Sequence, residues 1–161
     1  MEEGTGDFIF DVQVNPNVTS YHLFVHQYST GTLTFASQLL ATDATGGFVK
    51  TGSGDVRVQA SSSSSFTGAT RVQAGTLLLD GAFGKTASVN VYEGAILRGS
   101  GSIGSGSNPT AARVRAGGTL AGASTGALEI TGTLTLDSES TYAFTLGSGA
   151  DFVDVSGAVS L

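Results

Sequence analysis

Three acidic residues toward the C-terminal end, Glu129, Asp151 and Asp154, are the side chains best spaced for chemistry. Glu129 lies in "LEITGTL" and Asp154 in "VDVSGAV", two segments with the same apolar-x-apolar start, and Asp151 precedes Asp154 by three residues. If these segments occupy successive turns of a repeating structure, the carboxyls become neighbours. Paired carboxyls about 5 to 9 Å apart can hydrolyse a glycosidic bond, and carboxylate oxygens can gather a hard cation such as Ca²⁺. The same alternation points them outward, where solvated charges belong, and no Gly-Gly-x-Gly-x-Asp calcium repeat accompanies them. The expectation is an acid cluster or weak cation site at most, with no catalytic residue, resident metal or cofactor.

Other candidates are weaker still. His22 and His26 share one strand face with Phe24 and Tyr28, beside Tyr21, but two histidines need a third ligand to make a metal site. A structural role is expected for them. Arg113 and Arg115 flank Val114 and suit a solvated edge or an ion pair with Glu129. The serine run at 61–65 reads as a loop between turns, with no His and acid arrangement to make any serine a nucleophile. Gly99, Gly101 and Gly104 obey the G-x-G-x-x-G spacing of a dinucleotide-binding turn. That chemistry requires a helix whose N-terminal amides meet the phosphates. Here "SGSNPTAARVRAGG" follows, a turn-rich run and then renewed alternation. The glycines are therefore corners.

The elements that would position these residues are strands. Period-two alternation recurs almost throughout, in "FIFDVQV", "YHLFVHQY", "GTLTF", "DVRVQA" and their successors. No stretch carries a helical apolar set. Five segments repeat one theme around Gly75, Gly94, Gly118, Gly132 and Gly157, at intervals of 19, 24, 14 and 25 residues. Units of this size cannot bury an apolar face alone, so they stack and share a core. Aligning the five places Gln73, Asn90, Arg115, Glu129 and Asp154 at equivalent outward positions. Val56, Val58, Val72, Leu77, Leu79, Val89, Val91, Leu97, Val114, Leu120, Leu128, Ile130, Leu134, Leu136, Val153 and Val155 fall on the inward parity.

Composition bounds the function. The chain has 161 residues, 24 glycines, two prolines and no cysteine or tryptophan. Length suits one domain. Only 12% of residues are charged while 40% are apolar, which opposes disorder. A net charge of −6 disfavours a nucleic-acid partner, and no apolar run is long enough for a transmembrane helix. The acidic start "MEEGTGDFIF" lacks the features of a secretory signal. The final "DVSGAVSL" stops within an apparent strand, so the sequence reads as a fragment of a longer solenoid. Composition and periodicity leave an all-β solenoid or sandwich open.

A resemblance narrows this. The run "FVKTGSGDVRVQASSSSSFTGATRVQAGTLLLDG" (48–81) resembles an autotransporter-associated β-strand repeat of bacterial surface proteins, with its Lys-Thr-Gly-x-Gly start, its [Tyr/Phe]-Thr-Gly-Ala-Thr segment and its Val-x-x-Gly-Thr-Leu strand. "GAILRGSGSIG" (94–104), "VRAGGTLAGA" (114–123) and the stretch from 126 to 161 are similar to the elements that follow in that family. Ala121-Gly122-Ala123 stands where the family shows Pro-Gly, a change confined to one corner. Residues 1–47 carry little of the pattern and are expected to form a capping or preceding coil before the repeat region at 48–161. The resemblance implies a right-handed parallel β-helix, exported to the cell exterior and outer-membrane associated, acting as a stalk or scaffold without catalytic residues.

The expected function is thus a non-enzymatic segment of a surface or secreted passenger. Its first partners are neighbouring coils of the parent chain. One alternative is a glycan- or host-binding adhesin module using loops 61–68 or 104–112. Another is a polysaccharide lyase or hydrolase. Open coil ends also invite end-to-end self-association.

Overall fold

Alternating apolar residues with glycine at regular breaks produce a parallel β-solenoid, described here from a computed structural model for residues 7–10, 22–39, 46–145 and 151–161. It has about six turns and no helix among the described residues. A first strand, β1 (Phe8–Phe10), precedes the coils. Coil one holds β2 (Leu23–His26) and β3 (Thr32–Phe35); coil two holds β4 (Phe48–Thr51) and β5 (Asp55–Val58). Coil three has β6 (Thr70–Val72), β7 (Gly75–Leu79) and β8 (Ala82–Phe83). Coil four repeats this as β9 (Ser88–Val91), β10 (Ala95–Arg98) and β11 (Ser102–Ile103). Coil five has β12 (Thr110–Val114), β13 (Thr119–Ala121) and β14 (Leu128–Ile130). The sixth has β15 (Gly132–Leu136), β16 (Thr141–Ala143) and β17 (Val153–Val155), and β18 (Val159–Ser160) follows.

Each coil runs across three faces. Face I stacks β2, β4, β6, β9, β12, β15 and β18; face II stacks β1, β3, β5, β7, β10, β13 and β16; face III stacks β8, β11, β14 and β17. Every pairing between these strands is parallel and in register. Rungs of this kind lie about 4.8 Å apart. Coil length varies, from 19 residues between the register partners Thr70 and Val89 to 27 between Ser102 and Glu129. The corners absorb the difference, so the ladders stay in step.

The interior is a set of axial columns. On face II, Val56, Leu77, Leu97 and Leu120 stack in register and are fully buried. On face I the column is Val25, Lys50, Val72, Val91 and Val114. Phe83, Ile103 and Ile130 line face III. Thirteen of the sixteen residues that alternation places inward belong to the buried core, and Leu136, Val153 and Val155 pack partly buried against it. Alternation underweighted the aromatic part. Phe48 lies between the rings of Phe66 and Phe83, at centroid distances of 6.2 and 5.6 Å.

Residues 22–39 form a coil continuous with the next, since β2 pairs with β4 and β3 with β5. Tyr21, and residues 11–14 of the expected first strand, lie outside the described residues. The serine run is a correction: it builds face III of coil two instead of a free loop. Leu39, Ser63, Ser64 and Ala82 are joined by parallel bridges. Ser62 and Ser64 are buried, and the Ser62 hydroxyl donates to the Phe35 carbonyl at 2.9 Å. A hydroxyl that satisfies a local carbonyl can face inward at little cost.

Because each coil touches chiefly its neighbours, one large cavity should weaken the centre of the rod. Leu77→Ala, in the third coil, is expected to lower unfolding stability by about 3 kcal/mol or more, read from urea denaturation followed by far-UV CD.

Candidate functional site

Register decides which side chains meet. Glu129 and Asp154 are direct partners on face III, one rung apart, and they line a shallow trough of about 240 Å³ with Ser156. The outward column that carries them continues through Ser102 and Ala82. Asp151 lies elsewhere, in a cleft beside Arg98 at the corner of faces II and III. Among the described residues no three His, Asp or Glu side chains form a group that could hold a metal ion.

The five-segment alignment needs correction. Asn90 pairs with Arg71 and Arg113 on face I, whereas Glu129 and Asp154 belong to face III. Gly75, Gly94 and Gly118 turn the chain from face I to face II, while Gly132 and Gly157 turn it from III to I. Two kinds of corner share one local pattern, which explains why Gly118 and Gly132 are only 14 residues apart, less than one full turn of the solenoid.

The arginines also differ from expectation. Arg113 pairs with Asp137, its Nε lying 2.9 Å and 3.0 Å from the two carboxylate oxygens, and not with Glu129. Arg115 donates to Asn90 Oδ1 at 3.1 Å and stacks 4.9 Å above the Tyr92 ring. Arg57 is held by Asp80 at 2.8 Å. The histidines serve structure. His22 Nδ1 accepts from the Gly47 amide at 3.0 Å, and His26 Nδ1 meets the Thr51 hydroxyl. The rings of His22, Phe24 and His26 follow one another along one face, 6.0 and 6.2 Å apart.

Gly99, Gly101 and Gly104 form corners with no helix after them. Gly99 and Gly104 have φ of 148° and 75°, a region that side-chain-bearing residues avoid. Carbonyls of the adjoining coils, Leu79 O, Gly81 O and Thr131 O, occupy the space a Cβ would need at the three positions. The motif spacing reflects the close stacking of the coils at these corners.

The least expected site is Lys50. Its parity with Phe48 puts it inward, between Val25 and Val72, where it is completely buried. The ammonium bends to the corner and donates to Gly52 O at 2.6 Å, Gly54 O at 2.5 Å and Ala74 O at 2.9 Å. Three carbonyls thus take its three donors. Gly75, at φ 62°, closes the cage: a Cβ there would lie 2.6 Å from Lys50 Nζ. Burial pulls the ammonium from its ordinary 10.5 down to about 8, and the Asp55 carboxylate opposes the shift. The signal was present in the sequence as a lysine on the inward parity followed by "TGSG". A buried threonine relay at the corner of faces III and I does similar work. Thr86 Oγ1 lies 3.0 Å from Thr70 Oγ1, and Thr110 Oγ1 donates to Thr86 O at 2.7 Å.

No protein-family model, curated protein or solved structure matches the chain.

The Lys50 cage has a pH signature. Below pH 8 both folded and unfolded chains carry the proton, and the folded state bears the desolvation cost. Between about 8 and 10.5 the unfolded chain keeps a proton that the folded chain has released, so stability rises with pH, by up to about 3 kcal/mol. Urea midpoints of the native chain and Lys50→Met across pH 7.5 to 10.5 isolate the effect. The native chain should gain on the variant as pH rises; a constant difference would contradict a desolvated ammonium.

Proposed function

We propose that this chain is a non-enzymatic scaffold segment of a bacterial surface or secreted β-helical passenger. The observation that supports this best is the unbroken parallel register through three faces, which makes the chain a rod whose side chains are spent on stacking. The inward columns are mostly apolar, with Lys50 and a few Ser and Thr hydroxyls spent on backbone carbonyls. The ionic contacts seen outside, Arg57 with Asp80 and Arg113 with Asp137, join adjacent coils rather than converge on a reacting centre. The ordered elements from Phe48 onward that resemble autotransporter-associated repeats supply the extracellular address.

The open end of the rod belongs to the same reading. The strands β16, β17 and β18 are the terminal members of their sheets. Phe152, Val159 and Leu161 are exposed there, Val159 by 53%. Unpaired edges with apolar side chains favour addition of another strand. In this reading the end stacks on neighbouring coils, in the parent chain or in a second copy.

Antibody raised against the chain should label intact, unpermeabilised cells of the source bacterium or its culture supernatant. Signal confined to the cytosolic fraction would overturn the assignment. Light scattering over a concentration series should show growth that Val159→Lys suppresses, while far-UV CD stays unchanged.

A further inference from the structure

We propose that the cleft framed by Arg98, Asp151 and Phe144 binds a neutral pyranose unit of a glycan. It lies where face II meets face III in the last coils. Its two lobes, about 390 and 270 Å³, share Arg98, Gly122 and Asp151, within the size range of small-ligand sites when taken together.

The cleft follows from the corner after β13. A Cβ on Gly122 would lie 2.6 Å from both the amide nitrogen and the carbonyl oxygen of Phe152. The missing side chain lets the segment at Asp151 and Phe152 lie directly on that corner. On the outward column of face II, Arg98 is followed by Ala121 and Ala143, whose small side chains leave open space beside the guanidinium. Phe144 is 59% exposed, and its ring stands 6.0 Å from that of Tyr142.

Two unspent polar groups line this cleft. Arg57 and Arg113 each hold a carboxylate, yet Arg98 has neither an ion pair nor a hydrogen bond among the described residues. Asp151 Oδ1 is shut off from water and has no donor among the described residues. Arg98 and Asp151 line the same space without pairing.

The ligand class follows from these groups. A guanidinium offers only donors and a carboxylate only acceptors, and sugar hydroxyls are both. An exposed aromatic face suits the C–H side of a pyranose ring, since its quadrupole is negative there. The charges of Arg98 and Asp151 cancel, Asp80 in the smaller lobe is held by Arg57, and the chain carries −6 overall. That balance favours a neutral sugar over a uronate or sialate. The proposal does not rest on the surface-scaffold reading, which a failure here would leave standing.

Saturation-transfer NMR on the full chain tests it. The probes are methyl glycosides of glucose, galactose and mannose, with galacturonate and sialyllactose as acidic arms. At least one neutral glycoside should receive saturation, strongest on ring C–H protons, with a Kd around 1 mM. Arg98→Ala and Phe144→Ala should each weaken it tenfold or more, and Arg113→Ala should not. Both cleft side chains are exposed, so an unchanged melting temperature separates lost binding from lost fold. Absence of transfer to every neutral probe, binding of acidic sugars alone, or binding by the two cleft variants as strong as by the native chain would overturn the proposal.

Discussion

The backbone ladder between successive coils is the constraint on which everything else depends. A strand in this structure finds its hydrogen-bond partners one turn earlier and one turn later in the chain, not in its own turn. That requirement fixes register, and register fixes which side chains face inward. The core columns, the glycine corners and the ion pairs between adjacent coils are consequences of it. A slip of one residue on any face would turn Val and Leu outward and Arg or Thr inward.

Corners are where the constraint is hardest to meet. Backbone crowds backbone there, and some carbonyls lose their ladder partner. The chain answers with three devices. Glycine removes the Cβ where a neighbouring carbonyl intrudes, as at Gly101 beneath Gly81. Threonine and serine hydroxyls pick up stranded carbonyls, as Thr110 does for Thr86. Lysine does so once, with a full charge, at the first complete corner of the repeat region. A charged group in a column of valines is tolerated because its donors are all used, the condition under which burial of a cation becomes affordable.

Much of this was legible before any coordinates. Alternation identified the strands and the inward set, and the absence of a helical pattern after Gly104 disposed of the nucleotide motif. What alternation could not supply was the face. A two-residue period gives parity only, and a three-sided coil has three corners that look alike locally. Merging the corners at Gly118 and Gly132 therefore put Asn90 and Arg115 in the company of Glu129, when Arg115 in fact lies against Asn90 and Tyr92. The Glu129 and Asp154 neighbourhood was readable because both segments turn the same corner. Lys50 went unremarked and the serine run was read as a loop for a different reason: their burial depends on carbonyls contributed by other parts of the chain, Ala74 for the lysine and Phe35 for Ser62. Arg98 and Asp151 come together only through the contact of Phe152 on Gly122, which no local pattern encodes.

The direction of the inter-coil hydrogen bonds has a mechanical corollary. They run along the rod, so tension applied between its two ends would load one terminal rung at a time instead of shearing many together. Yielding would then come in discrete increments, each releasing a loop of some two dozen residues and about 80 Å of contour. Extension in repeated small steps at modest force is the behaviour of a shock absorber more than of a rigid pillar.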